Sequence, residues 1–312
     1  MARARVISII NYKGGVGKTT TTYHIGCSLA YHHNKKVLLI DIDPQTNLTF
    51  LCVIFERWQK LKQNTGTIAT MYRRYLDKKA LDTKRYIWRN LVGLGREKIM
   101  GLDLIACDVE LLGEDLGGAG LGGTFPSFEL LKRQASQYLR DRAFLLNIIK
   151  EVEDDYDYIL IDCPPNIYLM TQNALLASQW YVVTTIPDHL STIGLRILSD
   201  KVREIGKKIE AGQTFAGAAS AAGIAKFGGA IFVRVRIGGS MVTNMHFSKM
   251  EEVKLLLGNN SCFSRYTTEL IGYSEASQGT LPIWLCPSPN ARRAAQKGEY
   301  EDITNEFIRR FR

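Results

Sequence analysis

The sequence has no uninterrupted apolar run of 18 residues, which removes a membrane-spanning helix from consideration. It has no C-x-x-C pair. Its six cysteines stand apart at 27, 52, 107, 163, 262 and 286, and none lies at metal-ligand spacing from a histidine. That argues against a zinc site or a cysteine-held cluster and leaves reduced thiols in a packed interior. The five histidines, at 24, 32, 33, 189 and 246, form no motif either. No internal repeat or low-complexity linker divides the chain, so residues 1–312 are expected to form one domain. The basic start, MARARVISIINY, has too short an apolar part for a signal peptide and leads straight into a glycine-rich loop. It is read as a first strand, and a cytoplasmic protein is expected.

What is present is enough apolar material for a full core: 312 residues, 46% hydrophobic. Continuously apolar runs at Val6–Asn11, Lys36–Asp41 and Tyr158–Asp162 read as strands buried on both faces. Further strands are expected at Leu102–Ala106, Tyr181–Ile186, Ala230–Val235 and Pro282–Cys286. Helices are expected over Lys18–His32, across most of Leu48–Arg96, and over Ser127–Val152, Leu169–Ser178 and Thr192–Lys208. Others should begin near Thr243 and Glu299. Glu110–Gly123 and the Ala/Gly-rich stretch Ala211–Ala230 read as loops. Alternation of strand and helix implies an α/β fold, a doubly wound and mostly parallel sheet.

The stretch NYKGGVGKTTTT, Asn11 to Thr22, carries the chemistry. It ends as the phosphate-binding P-loop pattern G-x-x-x-x-G-K-[ST] requires, but Tyr12 replaces the opening glycine and a second lysine, Lys13, follows it. Gly14, Gly15, Val16 and Gly17 lie between a strand and a helix. Their N–H groups, with those of the helix start at Lys18, Thr19 and Thr20, can cradle phosphates. Lys18 would reach the β- and γ-phosphates of ATP, and the Thr19 hydroxyl would bind Mg²⁺. Asp162, closing YILID, has the form of a Walker B aspartate and would hold Mg²⁺ through a water. Asp41 and Asp43, in DIDPQTN, end another strand. Strand alternation is expected to aim these two residues the same way, so that one could approach Mg²⁺ and the other the attacking water.

KGGVGKTT, DIDPQTN and YDYILIDCPPN, in this order, together resemble the ParA/MinD family of deviant Walker A ATPases. TQNALLASQWYVVTTIP and, more weakly, IGYSEASQGTLPIWLCPSPN extend the likeness over most of the chain. The resemblance implies a P-loop NTPase fold and an ATP-bound homodimer. By that resemblance Lys13 would be the signature lysine that crosses to the partner's phosphates, and Asp43 the hydrolytic aspartate and a neighbour of the metal. Pro287 is placed near the adenine. Iron-protein and cluster-carrier relatives need suitably placed cysteines, which are lacking.

The D-x-D-P-Q-x-N form resembles the ParA branch, which moves DNA or protein cargo over the nucleoid with a ParB-like or other adaptor. The first strand begins within ten residues of Met1, so the helix-turn-helix arm of the larger plasmid ParA proteins is not expected. Non-specific double-stranded DNA is then the expected polyanion. Charge agrees: of the net +9, Glu56–Lys98 holds twelve basic and four acidic residues, a net of +8. Trp58, Tyr72, Tyr75, Tyr86 and Trp88 are interleaved there; as a plain structural element they would face the core. Arg234 with Arg236, and Arg292, Arg293 and Lys297, are rival contacts. A MinD-like membrane cycle is the alternative. It would need the terminal face of Ile303, Phe307, Ile308 and Phe311 to meet lipid rather than the core.

Overall fold

A computed structural model of the chain describes residues 3–94, 97–113, 120, 127–217, 223–239 and 241–312. The first half runs β1 (Arg5–Ile10), α1 (Lys18–Tyr31), β2 (Val37–Asp41), α2 (Asn47–Cys52), α3 (Phe55–Thr65) and α4 (Ile68–Leu76), then β3 (Trp88–Arg89), β4 (Gly93–Leu94), β5 (Glu97–Lys98) and β6 (Leu102–Ile105). It continues with α5 (Phe128–Asp141), α6 (Phe144–Lys150), β7 (Tyr158–Asp162), α7 (Leu169–Ala177), β8 (Trp180–Thr185) and α8 (His189–Ala216). The last part holds β9 (Lys226–Phe232), β10 (Ile237–Gly238), β11 (Met241–Val242), α9 (Asn244–Leu257), α10 (Ile271–Gln278), α11 (Pro289–Ala295) and α12 (Glu299–Arg310).

Seven strands form one sheet in the order β3-β6-β2-β7-β1-β8-β9. All pairs are parallel except the edge pair β3–β6. The central strands read as continuous apolar runs because helices cover both faces. Val6 and Ile10 of β1, Leu38 and Ile40 of β2, and Ile159 and Ile161 of β7 enter one core, with Met71, Phe144, Leu175 and Leu198 from the helices. The alternate residues Ile7, Ile9, Leu39 and Leu160 enter the other, against Ile25 of α1, Leu48 of α2 and Phe307 of α12. The doubly wound, mostly parallel sheet expected from the sequence is thus present.

Four expectations need correction. The Ala-rich stretch from Ala211 is not a loose connection. Alanine favours helix, and α8 continues to Ala216, where Gly217 at φ 66° caps it by donating to Gln213 and Thr214. β9 then starts at Lys226, earlier than expected, and contains Gly228 and Gly229. A Cβ on Gly228 would stand 2.7 Å from the Phe311 ring, and Gly229 sits at φ 135°, so close approach and a bulge demand the glycines. Pro282–Cys286 is a turn, closed by Leu285 N–H to the Pro282 carbonyl, whose Ile283 and Cys286 pack with Ala291 and Ala294. The single helix expected over Ser127–Val152 is two helices. Arg142 caps α5 and is buried, its guanidinium 3.6 Å over the Tyr138 ring and donating to Gln172. The region from Leu48 to Arg96 is mostly helical as expected, with α2, α3 and α4 up to Leu76 and a 3₁₀ turn at Thr83–Tyr86. Most of the Gly-rich stretch 110–123 lies outside the described residues, and Val109–Gly113 forms a 3₁₀ turn.

The terminal apolar face packs inward: Ile303, Phe307 and Phe311 are buried and Ile308 packs against the same core. Among the described residues no helix is long and apolar enough to cross a membrane.

Candidate nucleotide site

Parallel pairing brings the C-terminal ends of β1, β2 and β7 to one edge, with Asp162 in register with both Asp41 and Ile9. Ligands bind at such an edge in open α/β sheets. The loop after β1 is held by Asn11, whose side chain donates to the Thr184 carbonyl (2.8 Å) and accepts from Lys13 N–H (3.0 Å). Gly15 and Gly17 both adopt φ 73°, a conformation that favours glycine. Space beside Gly14 and Gly15 is open. α1 then starts at Lys18 without a side-chain cap and without an acidic residue in its first turn. Its first N–H groups and the positive end of its dipole are therefore free for an anion.

Tyr12 can take the place of the motif's first glycine because its φ is not in the left-handed region that favours glycine. Its ring lies across α8, where a Cβ on Gly194 would meet it. Lys18 is buried and donates to the Lys13 carbonyl at 3.1 Å. Burial pushes its ammonium pKa down, against the pull of Asp162 and Asp43. Lys13 turns away. Its Nζ lies 2.8 Å from Asp188 Oδ2 and 3.4 Å from Ser191 Oγ, both at the start of α8. Asp188 also caps α8 by accepting from Ser191 N–H. Burial acts to raise the Asp188 carboxyl, but the hydrogen bonds from Lys13 and Ser191 prevail and hold it below its usual range.

Asp162 is fully buried. One oxygen accepts from the Thr22 hydroxyl at 3.3 Å; the other, Oδ2, is buried with no hydrogen-bond partner. Burial and the charge of Asp41 raise its pKa well above the carboxylate range, with Thr19 and Lys18 pulling the other way. A buried carboxylate oxygen without a partner is costly. It fits a hydrated cation beside the Thr19 hydroxyl. Among the described residues no three His, Cys, Asp or Glu side chains form a metal cage. A Mg²⁺ here must therefore draw ligands from phosphate oxygens and water, as Mg²⁺ commonly does.

Asp41 and Asp43 do not point alike, because β2 ends at Asp41 and Asp43 belongs to the following turn. Asp41 is committed to structure. It accepts from Thr49 N–H (2.8 Å), Thr49 Oγ (2.7 Å) and Asp43 N–H (3.1 Å), fixing the first turn of α2. Burial pushes its pKa up to about 7, against those hydrogen bonds. Asp43, nearly buried, holds the Gln45 N–H at 3.0 Å and sits close enough to Lys18 to act on its charge.

Beside the loop opens a cavity of about 720 Å³. Gly15, Gly17, Thr19 and Thr20 form one wall, Phe50 and Leu51 another, and Thr268, Tyr273 and Tyr300 a third. Pro287 is not among its lining residues. No sequence signal marked the third wall, which the Glu299 carboxylate assembles by accepting from Thr268 N–H (3.0 Å), the Thr268 hydroxyl and Tyr273 Oη (2.9 Å). Beneath it His24 stacks on Tyr300, ring centroids 4.6 Å apart. Its Nδ1 meets the Thr20 carbonyl and its Nε2 accepts from Ile283 N–H, which fixes one neutral tautomer. Burial lowers its pKa to about 4.

Of the basic block, Trp58, Tyr75 and Tyr86 pack against the cores, and Tyr72 and Trp88 are buried in them. Lys62 and Arg73 pair with Glu110, Lys84 with Asp155, Arg85 with Asp82 and Arg89 with Asp103. Arg234 and Arg236 are both held by Glu269, at 2.8 and 3.0 Å. Arg292 and Arg293 are exposed on α11, and Lys297 donates to Thr268.

A family model described as an AAA domain matches residues 4–213. The Bacillus subtilis sporulation initiation inhibitor protein Soj is 31% identical over 212 residues, 66% of this chain and 67% of Soj. A ParA family protein of Chlamydia muridarum is 28% identical over 208 residues, 65% of this chain and 67% of its own length. Among solved structures, the ATP complex of a Cyanothece McdA variant shares the fold with a TM-score of 0.65 at 19% identity, covering 97% of each chain. A deviant P-loop, the Asp43 and Asp162 turns at one sheet edge, and these relatives agree: the chain belongs to the ParA family of ATPases.

Proposed function

We propose that this chain is one ATPase unit that dimerises when it binds ATP, binds duplex DNA without sequence preference, and positions DNA or another cargo until hydrolysis releases it. The observation that carries the reading is the separation of the two lysines. Lys18 stays at its own loop, whereas Lys13 is held by Asp188 and Ser191 at the start of α8, away from the cavity lining. A lysine not needed at its own phosphates is available to a partner's.

The Gly14–Gly17 N–H groups, the first turn of α1 and Lys18 would hold the phosphates, with Thr19 and Asp162 at Mg²⁺. When bound, that ion neutralises charge on the phosphate oxygens. Asp43 would orient water. The cavity wall of Tyr300, Thr268 and Phe50 would take the nucleoside. A ParB-like adaptor would stimulate a slow intrinsic hydrolysis. The membrane-cycling alternative loses its motivation, since α12 spends its apolar face on the core.

The test is light scattering together with DNA binding by the purified chain. Mg²⁺–ATP should convert monomer to dimer, and Lys13→Ala should prevent this while leaving nucleotide affinity intact. Dimerisation that is unaffected by Lys13→Ala would sink the reading.

A further inference from the structure

Six of the eleven described basic side chains of the 56–98 block, Lys62, Arg73, Lys79, Lys84, Arg85 and Arg89, are paired with carboxylates where they stand, which leaves the question of where an acidic polymer would dock. Among the described residues Lys78, Lys132, Arg133 and Arg140 form no ion pair, and they line one open groove of about 1140 Å³ between the end of α4 and the outer face of α5. Glu129 is the one acid on it. The remaining polar lining is engaged within the protein: Gln134 donates to the Gly120 carbonyl (2.7 Å), Ser136 to the Lys132 carbonyl (2.8 Å) and Gln137 to Asp141 (2.6 Å), so the four cations are what the groove offers an anion.

The α5 sequence produces this face. Ala135 and Tyr138 point into the molecule, against a core shared with α7 and α8, and are buried. Lys132, Arg133, Ser136 and Arg140 then fall on the outer side at helical spacing. Arg133 and Arg140 are two turns apart, about 10 Å along the axis. The cations therefore form a stripe rather than a point. A stripe suits a polymer with regularly spaced charge, and duplex DNA carries one charge per ~1.7 Å of its axis.

We infer that the α4–α5 groove is the surface on which this protein holds the phosphate backbone of duplex DNA. The inference rests on the proposed DNA-binding function and assigns it a location. A lipid surface fits less well: the exposed apolar residues of the groove, Phe128 and Leu130, sit only at its N-terminal end, and the apolar side of α5 is used in the core.

The test compares three full-length proteins with Mg²⁺–ATP: the parent, a groove triple variant (Lys132→Ala, Arg133→Ala, Arg140→Ala), and a control carrying Arg57→Ala and Lys60→Ala on the exposed side of α3. Binding to an arbitrary-sequence duplex is measured by anisotropy against salt, and to anionic phosphatidylserine vesicles by sedimentation. ATP-dependent dimerisation of each is followed in parallel to report folding and nucleotide binding. The groove variant should dimerise like the parent, bind DNA at least about tenfold more weakly, and show a log–log salt slope shallower by about 2.7, the value for three lost phosphate contacts. The control should behave as the parent. A groove variant that binds DNA as the parent does, while the parent binds well, overturns the location and leaves the DNA function standing. A parent that binds no duplex overturns both. Loss of vesicle binding rather than DNA binding overturns the choice of partner.

Discussion

Replacing Asp188 by asparagine isolates what holds Lys13 in its own subunit. Asparagine caps a helix as well as aspartate does, so α8 should keep its start. The ion pair at 2.8 Å is lost. The two side chains are 32% and 35% exposed, which places the pair with partly exposed ion pairs worth roughly 0.2–1 kcal/mol. On the proposed reading each subunit of the ATP dimer gives up one such pair when its Lys13 crosses, about 0.4–2 kcal/mol for the dimer. Removing that cost in advance should tighten the dimer constant by a factor of about 2–30. Sedimentation equilibrium in Mg²⁺–ATP measures it, using an Asp43→Ala background in which the proposed role of Asp43 predicts slower hydrolysis. The monomer's nucleotide affinity should not move. A dimer no tighter than the parent's, in a variant with unchanged nucleotide binding, would show that Asp188 does not restrain Lys13.

Three further substitutions probe the site and its support. Asp162→Asn replaces the carboxyl group whose Oδ2 has no partner. It should abolish the added stabilisation by Mg²⁺ in the presence of nucleotide, read from urea unfolding with and without the metal. His24→Phe keeps the stack on Tyr300 but cannot titrate. The His24 pKa is depressed from 6.5 to about 4, so its contribution is present above pH 6.5 and lost as pH falls towards 4. The stability gap between parent and variant should therefore shrink by about 3 kcal/mol across that window. Phe311→Ala removes a ring packed on Phe307, at 4.6 Å between centroids, and on Trp180, at 5.3 Å. A cost of about 3–5 kcal/mol is expected from thermal unfolding. A tail free to meet lipid would instead lose almost nothing.

The phosphate loop and the central strands were legible because their information is local. Gly14–Thr19 is a contiguous motif, and β1, β2 and β7 are each a single apolar run. The rest of the site depends on contacts that no short window contains. Lys13 meets Asp188 across 175 positions of chain, and the cavity wall joins Thr20 to Tyr273 and Tyr300. The turn at Pro282–Cys286 looked like a strand because its apolar residues pack, but they do so in a small cluster of their own away from the sheet. Ala211–Ala216 misled in the opposite sense, since composition hid a strong helix former. The basic block was visible as composition, but only the ion pairs show which of its charges are already neutralised.

The site's electrostatics bear on why ATP, rather than any nucleotide, would switch the molecule. Without a ligand, one edge of the sheet holds a buried lysine, a buried Asp162 with an unpartnered oxygen, and a helix start with no cap. Phosphates with Mg²⁺ answer all three at once, and a diphosphate could do so as well as a triphosphate. Lys13 is different, because it already has a carboxylate and a hydroxyl as partners. It leaves them only for a stronger anion within reach of the facing subunit. A ligand shifts a two-state equilibrium only through contacts that differ between the states. On the proposed reading the γ-phosphate would supply that difference at Lys13, and its hydrolysis would return the lysine to Asp188. Binding and dimerisation are therefore expected to separate experimentally: ADP should stabilise the monomer nearly as well as ATP does, while only ATP draws two chains together.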